Sequence, residues 1–155
     1  MNTKRALVAV LKEALQAELK AVKMYAAHAE AIPDQEIAEG LQTILEVEKE
    51  HVRQLAARIE ALQGEPVVLE PTLALPVVGP VTDPSVIADL VTFDLDEEQW
   101  AITHYASALA DYVPLDDAAT WTMLEENLVD ELRHARWLRD RLREMDRLQS
   151  QQGRQ

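Results

Sequence analysis

The chain of 155 residues contains no cysteine. This absence excludes disulfides, zinc-thiolate sites, iron-sulfur clusters and a rubredoxin-type electron-transfer module. Any metal chemistry in this protein is therefore restricted to oxygen and nitrogen ligands. The hydrophobic content of 48% suffices for one well-buried domain. A chain of this length is typical of a single domain, so we expect one.

Basic residues are also scarce, since 15 Lys and Arg stand against 28 Asp and Glu, for a formal net charge of -13. Such a surface repels nucleic acid and anionic membranes, so we expect neither as a partner and regard cations as the natural ligands. No apolar run reaches the roughly 20 residues of a membrane span. The N-terminal segment also lacks an evident small-residue cleavage site, so we expect a cytoplasmic protein.

Proline, glycine and capping residues divide the chain into four helical segments. We predict helices at about 3–32, 33–63, 84–112 and 116–147, a crossover at 64–83 and a fraying polar tail at 148–155. The proline-rich crossover is long enough to run the length of a helix, whereas short turns at Pro33 and Pro114 join antiparallel neighbours. The sequence therefore predicts an all-α, single-domain bundle of two antiparallel hairpins. A disordered linker between the hairpins is the alternative.

A Glu-x-x-His motif occurs twice, as Glu48–His51 and Glu131–His134. Each copy is preceded by a segment of the form Glu-x-x-x-x-x-x-Tyr, at Glu18–Tyr25 and Glu98–Tyr105. Residues three apart on a helix share a face, so each Glu-x-x-His motif presents a carboxylate and an imidazole together. The hairpins thus form an internal repeat. All four Glu lie near the middle of their helices, so antiparallel packing would bring them to one level.

Four carboxylates at the middle of a bundle would be heavily desolvated, which costs several kcal/mol for each unpaired charge. No Lys or Arg lies one helical turn from Glu18 or Glu98, whereas two divalent cations would neutralise all four charges. The six predicted metal ligands are Glu18, Glu48, His51, Glu98, Glu131 and His134. Such a set suits iron or manganese, because structural zinc prefers four tetrahedral ligands. Shared protons, or surface charges on a plain bundle, are the alternatives.

These motifs resemble the ferritin-like superfamily, most closely bacterioferritin and more distantly rubrerythrin and manganese catalase. Residues 18–29 are similar to the bacterioferritin pattern around its ferroxidase glutamate, tyrosine and following histidine. Asp94–Glu98 matches the family's Asp-Leu-x-x-Glu motif, and Asp130–His134 matches its Asp-Glu-x-x-His motif. The resemblance covers both hairpins and implies a ferritin-like four-helix bundle.

The resemblance also implies a role for each site residue. It makes Glu18 and Glu98 terminal ligands, Glu48 and Glu131 bridges between two metals, and His51 and His134 ligands of one metal each. Tyr25 is expected beside the metals, as a hydrogen-bond donor or a redox-active neighbour. Asp94 and Asp130 are expected to orient the imidazoles.

Departures from bacterioferritin narrow these expectations. Lys49 stands where that family has its haem-ligating Met, so we expect no haem. The residues after the fourth helix are few and polar, unlike the short fifth helix that lines a 24-subunit cage, so we do not expect mineral storage. Ala101 stands where rubrerythrin has an additional carboxylate, which favours a six-ligand site.

The function implied by the resemblance is that of a di-iron oxidoreductase with ferroxidase or peroxidase-like activity. Two Fe ions would be its cofactor, and Fe(II), O2 or H2O2 its reaction partners. The same ligands accept two Mn ions, so a manganese-catalase-like enzyme is an alternative. A non-catalytic bundle with a structural metal is the other alternative. By the same resemblance we expect a homodimer.

Overall fold

A computed structural model describes residues 3–69 and 79–154 of the chain. It contains four helices: α1 (Thr3–Ala31), α2 (Gln35–Gln63), α3 (Pro84–Asp111) and α4 (Ala118–Gln152). No strand occurs in the described part of the chain, which confirms the all-α prediction. Within that part, none of the helices is long and apolar enough to cross a membrane.

Aspartates begin three of the helices. The side chains of Asp34, Asp83 and Asp117 accept hydrogen bonds from main-chain N–H groups of the first turns of α2, α3 and α4. An N-cap carboxylate satisfies N–H groups that have no partner inside the helix. Pro84 follows at the first position of α3, where its missing N–H costs nothing. Gly64 ends α2 with a φ of 78°, a conformation that favours glycine.

The helix ends differ slightly from those predicted. Helix α2 begins after Pro33, because Asp34 provides the cap. Helix α4 continues to Gln152, five residues beyond the predicted end. Residues 148–152 include neither proline nor glycine, and leucine and glutamine are good helix formers, so nothing in this stretch stops the helix before Gly153.

Each helix runs antiparallel to its two neighbours in the bundle. Contacts between α1 and α3 join early residues of one to late residues of the other, as between Val10 and His104. The same order holds for α2 and α4, where Arg58 bonds Asp117 at the start of α4. Helices α2 and α3 therefore run parallel across the diagonal, so the segment that joins them must travel the length of the bundle.

The two described ends of the crossover lie at opposite ends of the bundle. The N–H of Val67 donates to the Glu60 side chain at the end of α2, at 3.0 Å. The N–H of Val81 donates to the Ala31 carbonyl at the end of α1, at 2.9 Å. Helix α2 has 29 residues, so these levels are about 40 Å apart. This confirms the predicted long crossover, of which residues 70–78 lie outside the described residues.

The apolar core forms two clusters with a polar layer between them. One cluster contains Leu7, Leu11, Leu15, Leu55, Ile59, Leu109 and Leu124, and the other contains Met24, Ile37, Leu41, Ile44, Leu45, Val91 and Leu138. On α1 the apolar residues recur every three to four positions, so Glu18 falls on the same inward face as Leu11 and Leu15. The helical period that builds the core thus carries the acidic residues into its middle.

Gly40 allows α2 and α4 to approach closely. A Cβ atom at this position would lie 2.0 Å from Cζ2 of Trp137, far inside van der Waals contact. We predict that Gly40→Ala lowers the free energy of unfolding by about 1–3 kcal/mol through overpacking, although Ala is the better helix former. Urea denaturation measures this change. In the Gly40→Ala/Trp137→Leu double variant the clash is absent, so the penalty of the Ala should disappear; an equal penalty in both backgrounds would contradict this prediction.

Candidate metal centre

The structure brings all six predicted ligand side chains together in the polar layer. They form two overlapping groups that could each hold a metal ion, Glu18, Glu48, His51 and Glu131 in one, and Glu48, Glu98, Glu131 and His134 in the other. Within each group the candidate ligand atoms lie within 4.8 Å of one another, and all six residues are buried. Each of the four helices contributes at least one of them, because the motifs lie near the middle of each helix.

The distances around the two imidazoles separate the carboxylates into two kinds. Nδ1 of His51 lies 3.5, 3.1 and 3.0 Å from oxygens of Glu18, Glu48 and Glu131. Nδ1 of His134 lies 3.2, 3.5 and 3.3 Å from oxygens of Glu48, Glu98 and Glu131. Glu48 and Glu131 therefore approach both imidazoles, whereas Glu18 and Glu98 each approach one. This is the arrangement that the bridging and terminal assignments require.

Two tyrosines each bond a carboxylate of the centre across the α1–α3 interface. The Tyr25 hydroxyl donates to Glu98, and the Tyr105 hydroxyl donates to Glu18. Burial and the nearby carboxylates raise the pKa of both phenols well above its ordinary value, so they stay protonated as donors. Tyr25 lies beside the centre, where the prediction put it. The role of Tyr105 was not predicted, although the internal repeat carried the signal for it.

The ionisation of the centre reflects crowded charge. Burial and the charge of Glu18 raise the pKa of Glu48 to about 8, and burial with the charges of Glu18 and Glu48 raises that of Glu131 well above its usual range. Burial disfavours charge on His134, but hydrogen bonds with the surrounding carboxylates outweigh it and raise the pKa to about 12. The pKa of His51 rises for the same reasons. Without metal, the centre therefore holds several protons at pH 7.

The two predicted orienting aspartates have different partners. Oδ2 of Asp130 lies 3.2 Å from Nε2 of His51, so this residue contacts one of the two imidazoles of the centre. Asp94 instead lies 2.6 Å from Nδ1 of His28 and contacts neither ligand imidazole. The reason is its position one turn before Glu98 on the α1-facing side of α3, whereas both ligand histidines belong to α2 and α4. Glu97, the neighbour of Glu98 in the sequence, pairs with Lys20 at 2.9 Å and lies outside the two groups.

A small cavity opens beside the carboxylates on the α1–α3 side. Its volume is about 20 Å³, which is room for one water-sized molecule. Alanines at positions 17, 21 and 101 form part of its wall, together with Tyr25, Met24 and the carboxylates. Sequence reasoning did not find this cavity, because it depends on how the small side chains of two helices face each other.

The donor set fits divalent metal ions. One imidazole N–H can donate to only one acceptor, yet each Nδ1 faces three carboxylates within 3.5 Å. Oε1 of Glu131 lies 3.0 Å from His51 but lacks hydrogen-bond geometry and has no hydrogen-bond partner among the described residues. A cation at each position would contact the oxygens and the nitrogen at once, and oxygen-rich sets with imidazole suit iron or manganese. The identity of the six residues as metal ligands stays a prediction.

Removal of metal should reverse the pH dependence of stability. In metal-free protein, folded Glu48 and Glu131 hold protons that their unfolded counterparts, with a pKa of about 4.5, have already released. Stability then falls as pH rises wherever the folded state binds more protons. We predict that the melting temperature falls from pH 5 to pH 8 in chelator and rises over the same range with excess Mn²⁺, which competes with these protons. Circular dichroism measures both curves.

Two variants test whether this pH dependence of stability comes from the centre or from the acidic surface. Glu48→Gln replaces a buried carboxylate with a neutral amide and should flatten both curves. Glu46→Gln removes a charge from the same helix, but Glu46 is exposed and contacts Lys49, so it should leave both curves unchanged. Equal slopes in Glu48→Gln and wild type would show that the dependence comes from elsewhere in the protein.

Comparison with known proteins agrees with this fold. The family model described as a ferritin-like domain matches residues 8–148, which include both hairpins. No curated protein matches the chain. The family match covers all six residues of the centre and the crossover.

Several solved structures share the fold. A protein of Bacteroides fragilis, described as a dodecameric thioferritin and bacterioferritin-related protein, is 24% identical with a TM-score of 0.80, over 96% of this chain and 90% of that one. A protein of Xanthomonas campestris is 18% identical with a TM-score of 0.81, over the full length of both chains. A hypothetical protein of Pyrococcus furiosus is 22% identical with a TM-score of 0.76, over 92% of this chain and 91% of that one. At these identities the likeness concerns the fold alone.

Proposed function

The chain belongs to the ferritin-like domain family, and we propose that it is a di-iron carboxylate oxidoreductase that oxidises Fe(II) with H2O2 or O2. One observation carries this proposal: two overlapping groups of buried carboxylate and imidazole ligands share Glu48 and Glu131. Shared carboxylates hold two metals close enough to act together on one small molecule. A structural metal would need only one such group.

Two bound iron ions would supply one electron each to the oxidant, so that H2O2, with two protons, leaves as two water molecules. The protein residues hold the ligands in place and limit access. Tyr25 and Tyr105 fix the orientation of Glu98 and Glu18 through their hydroxyl groups. The cavity of about 20 Å³ has room for a molecule about the size of water, which favours a small oxidant over an organic substrate.

Tyr25 and Tyr105 are expected to differ in function although their contacts match. Tyr25 lines the cavity where the oxidant would bind, and Tyr105 is not among the residues that form its wall. We predict that Tyr25→Phe slows oxidation of bound Fe(II) by H2O2 about 100-fold, the lower end of what a positioned proton donor contributes. Tyr105→Phe should slow it less than Tyr25→Phe. Anaerobic stopped-flow absorption measures these rates.

Both tyrosine variants should bind the same amount of Fe(II) as the wild type, because neither hydroxyl is a metal ligand in this proposal. If the two variants react at equal rates, the hydroxyl of Tyr25 has no role beyond orienting a carboxylate. If either variant loses metal, the difference in rate has to be compared at equal occupancy.

The experiment that tests the proposed function is elemental analysis followed by a turnover assay. We expect about two Fe per chain after anaerobic Fe(II) loading, and oxidation of both by H2O2 or O2, followed as the rise of ferric absorption in the near ultraviolet. Two Mn per chain in freshly purified protein, with disproportionation of H2O2, would instead establish the manganese-catalase-like alternative. Metal content near zero, or metal without turnover, would leave a structural bundle and refute the proposal. Glu48→Gln should lose metal, and Glu46→Gln should keep it.

The assembly of this protein is a separate proposal. We propose a homodimer in which iron is a cofactor and not a stored mineral. The Bacteroides fragilis protein is described as a dodecamer, so the number of subunits needs direct measurement here. Light scattering gives that number, and aerobic iron loading shows whether uptake stops near two ions per chain. A larger shell that takes up many ions per chain would overturn this proposal without affecting the ligand set.

A further inference from the structure

The two metal positions of the centre are not equivalent in their outer contacts. Resting on the proposed dinuclear centre, we propose that the metal beside His51 is bound more tightly than the metal beside His134. The position at His51 would then stay filled while the position at His134 exchanges with free metal. Asp130 is the positioning residue that makes the difference.

The first observation is the contact between Asp130 and His51. Nδ1 of this imidazole points to the carboxylates of the centre, and Nε2 on the opposite side lies 3.2 Å from Oδ2 of Asp130. A carboxylate that accepts the second N–H of a ligand histidine fixes the tautomer and the ring orientation, and it raises the basicity of the coordinating nitrogen. Asp130 does this although it is partly exposed and is shared with Arg133.

The second observation is that the internal repeat has no second copy of this aspartate. Asp130 immediately precedes Glu131, and the corresponding residue before Glu48 is Val47. A valine side chain has no acceptor. Among the residues that the structure describes, Nε2 of His134 has no carboxylate like the one that faces His51, and His134 is the more exposed of the two, at 7% against 1%.

The inner contacts of the two positions are closely matched. Each imidazole faces three carboxylates, two of them shared, and each terminal carboxylate accepts a hydrogen bond from one tyrosine. The inner ligands therefore give little reason for unequal binding. Loss of an outer partner of a ligand histidine typically changes metal affinity by 10–100-fold. We expect a difference of about that size between the two positions.

The test uses Co²⁺, which binds oxygen and nitrogen ligands without reacting with oxidant during the titration. Calorimetry of metal-free wild type should show two binding events, with dissociation constants about 10–100-fold apart. Crystals grown with one equivalent of Co²⁺ should show most of the anomalous scattering beside His51. Two equal events, or equal occupancy at one equivalent, would overturn the inference. No binding at all would instead refute the proposed function.

Two variants test the cause, each with a matched control. Asp130→Ala should weaken the first binding event and bring the two constants together, whereas Glu126→Ala removes an exposed charge from the same helix and should not. Val47→Asp should tighten the second event, a gain that damage to the fold cannot mimic. Val129→Asp adds an exposed carboxylate on α4 and should leave the gap unchanged. If Val129→Asp closes the gap as well as Val47→Asp, general charge and not the contact with His134 sets the affinity.

Discussion

The burial of four glutamates at the middle of the bundle is the constraint on which the rest of the structure depends. Each carboxylate removed from water costs several kcal/mol unless a partner compensates it. The structure surrounds them with two imidazoles and two tyrosine hydroxyls. Burial and neighbouring negative charge raise the pKa of Glu48 and Glu131, so that bound protons neutralise these carboxylates where those contacts do not suffice. The apolar core is divided into two clusters as a result. A bundle that keeps such a layer gives up stability at its centre, and bound cations would restore it.

The internal repeat explains how so few motifs build a complete centre. Each hairpin brings one Glu with a tyrosine and one Glu with a histidine, and the antiparallel arrangement places the second set opposite the first. Tyr25 and Tyr105 then cross between α1 and α3, each bonding the glutamate of the other helix. The hairpins are thereby joined through the same residues that form the centre. Formation of the site and docking of the hairpins depend on the same contacts.

The internal repeat includes the six residues of the centre and the two tyrosines. It does not include the residues that contact them from outside. Asp130 has Val47 as its counterpart, and the buried pair of Asp94 and His28 lies on one side of the centre only. Outer residues do not touch the ion directly, so substitutions there adjust affinity and access without removing the site. A protein with two nearly identical positions can in this way give them different behaviour.

The sequence by itself determined the four helices, the long crossover and the common level of the six residues. These features follow from local rules: aspartate and proline begin helices, and residues three or four apart share a face. The tertiary structure alone decided the partner of Asp94, the bond from Tyr105 to Glu18 and the cavity beside Ala101. Such contacts depend on the rotation and axial offset of neighbouring helices. Spacing within one helix does not fix those quantities, because side chains packed along the whole interface set them together.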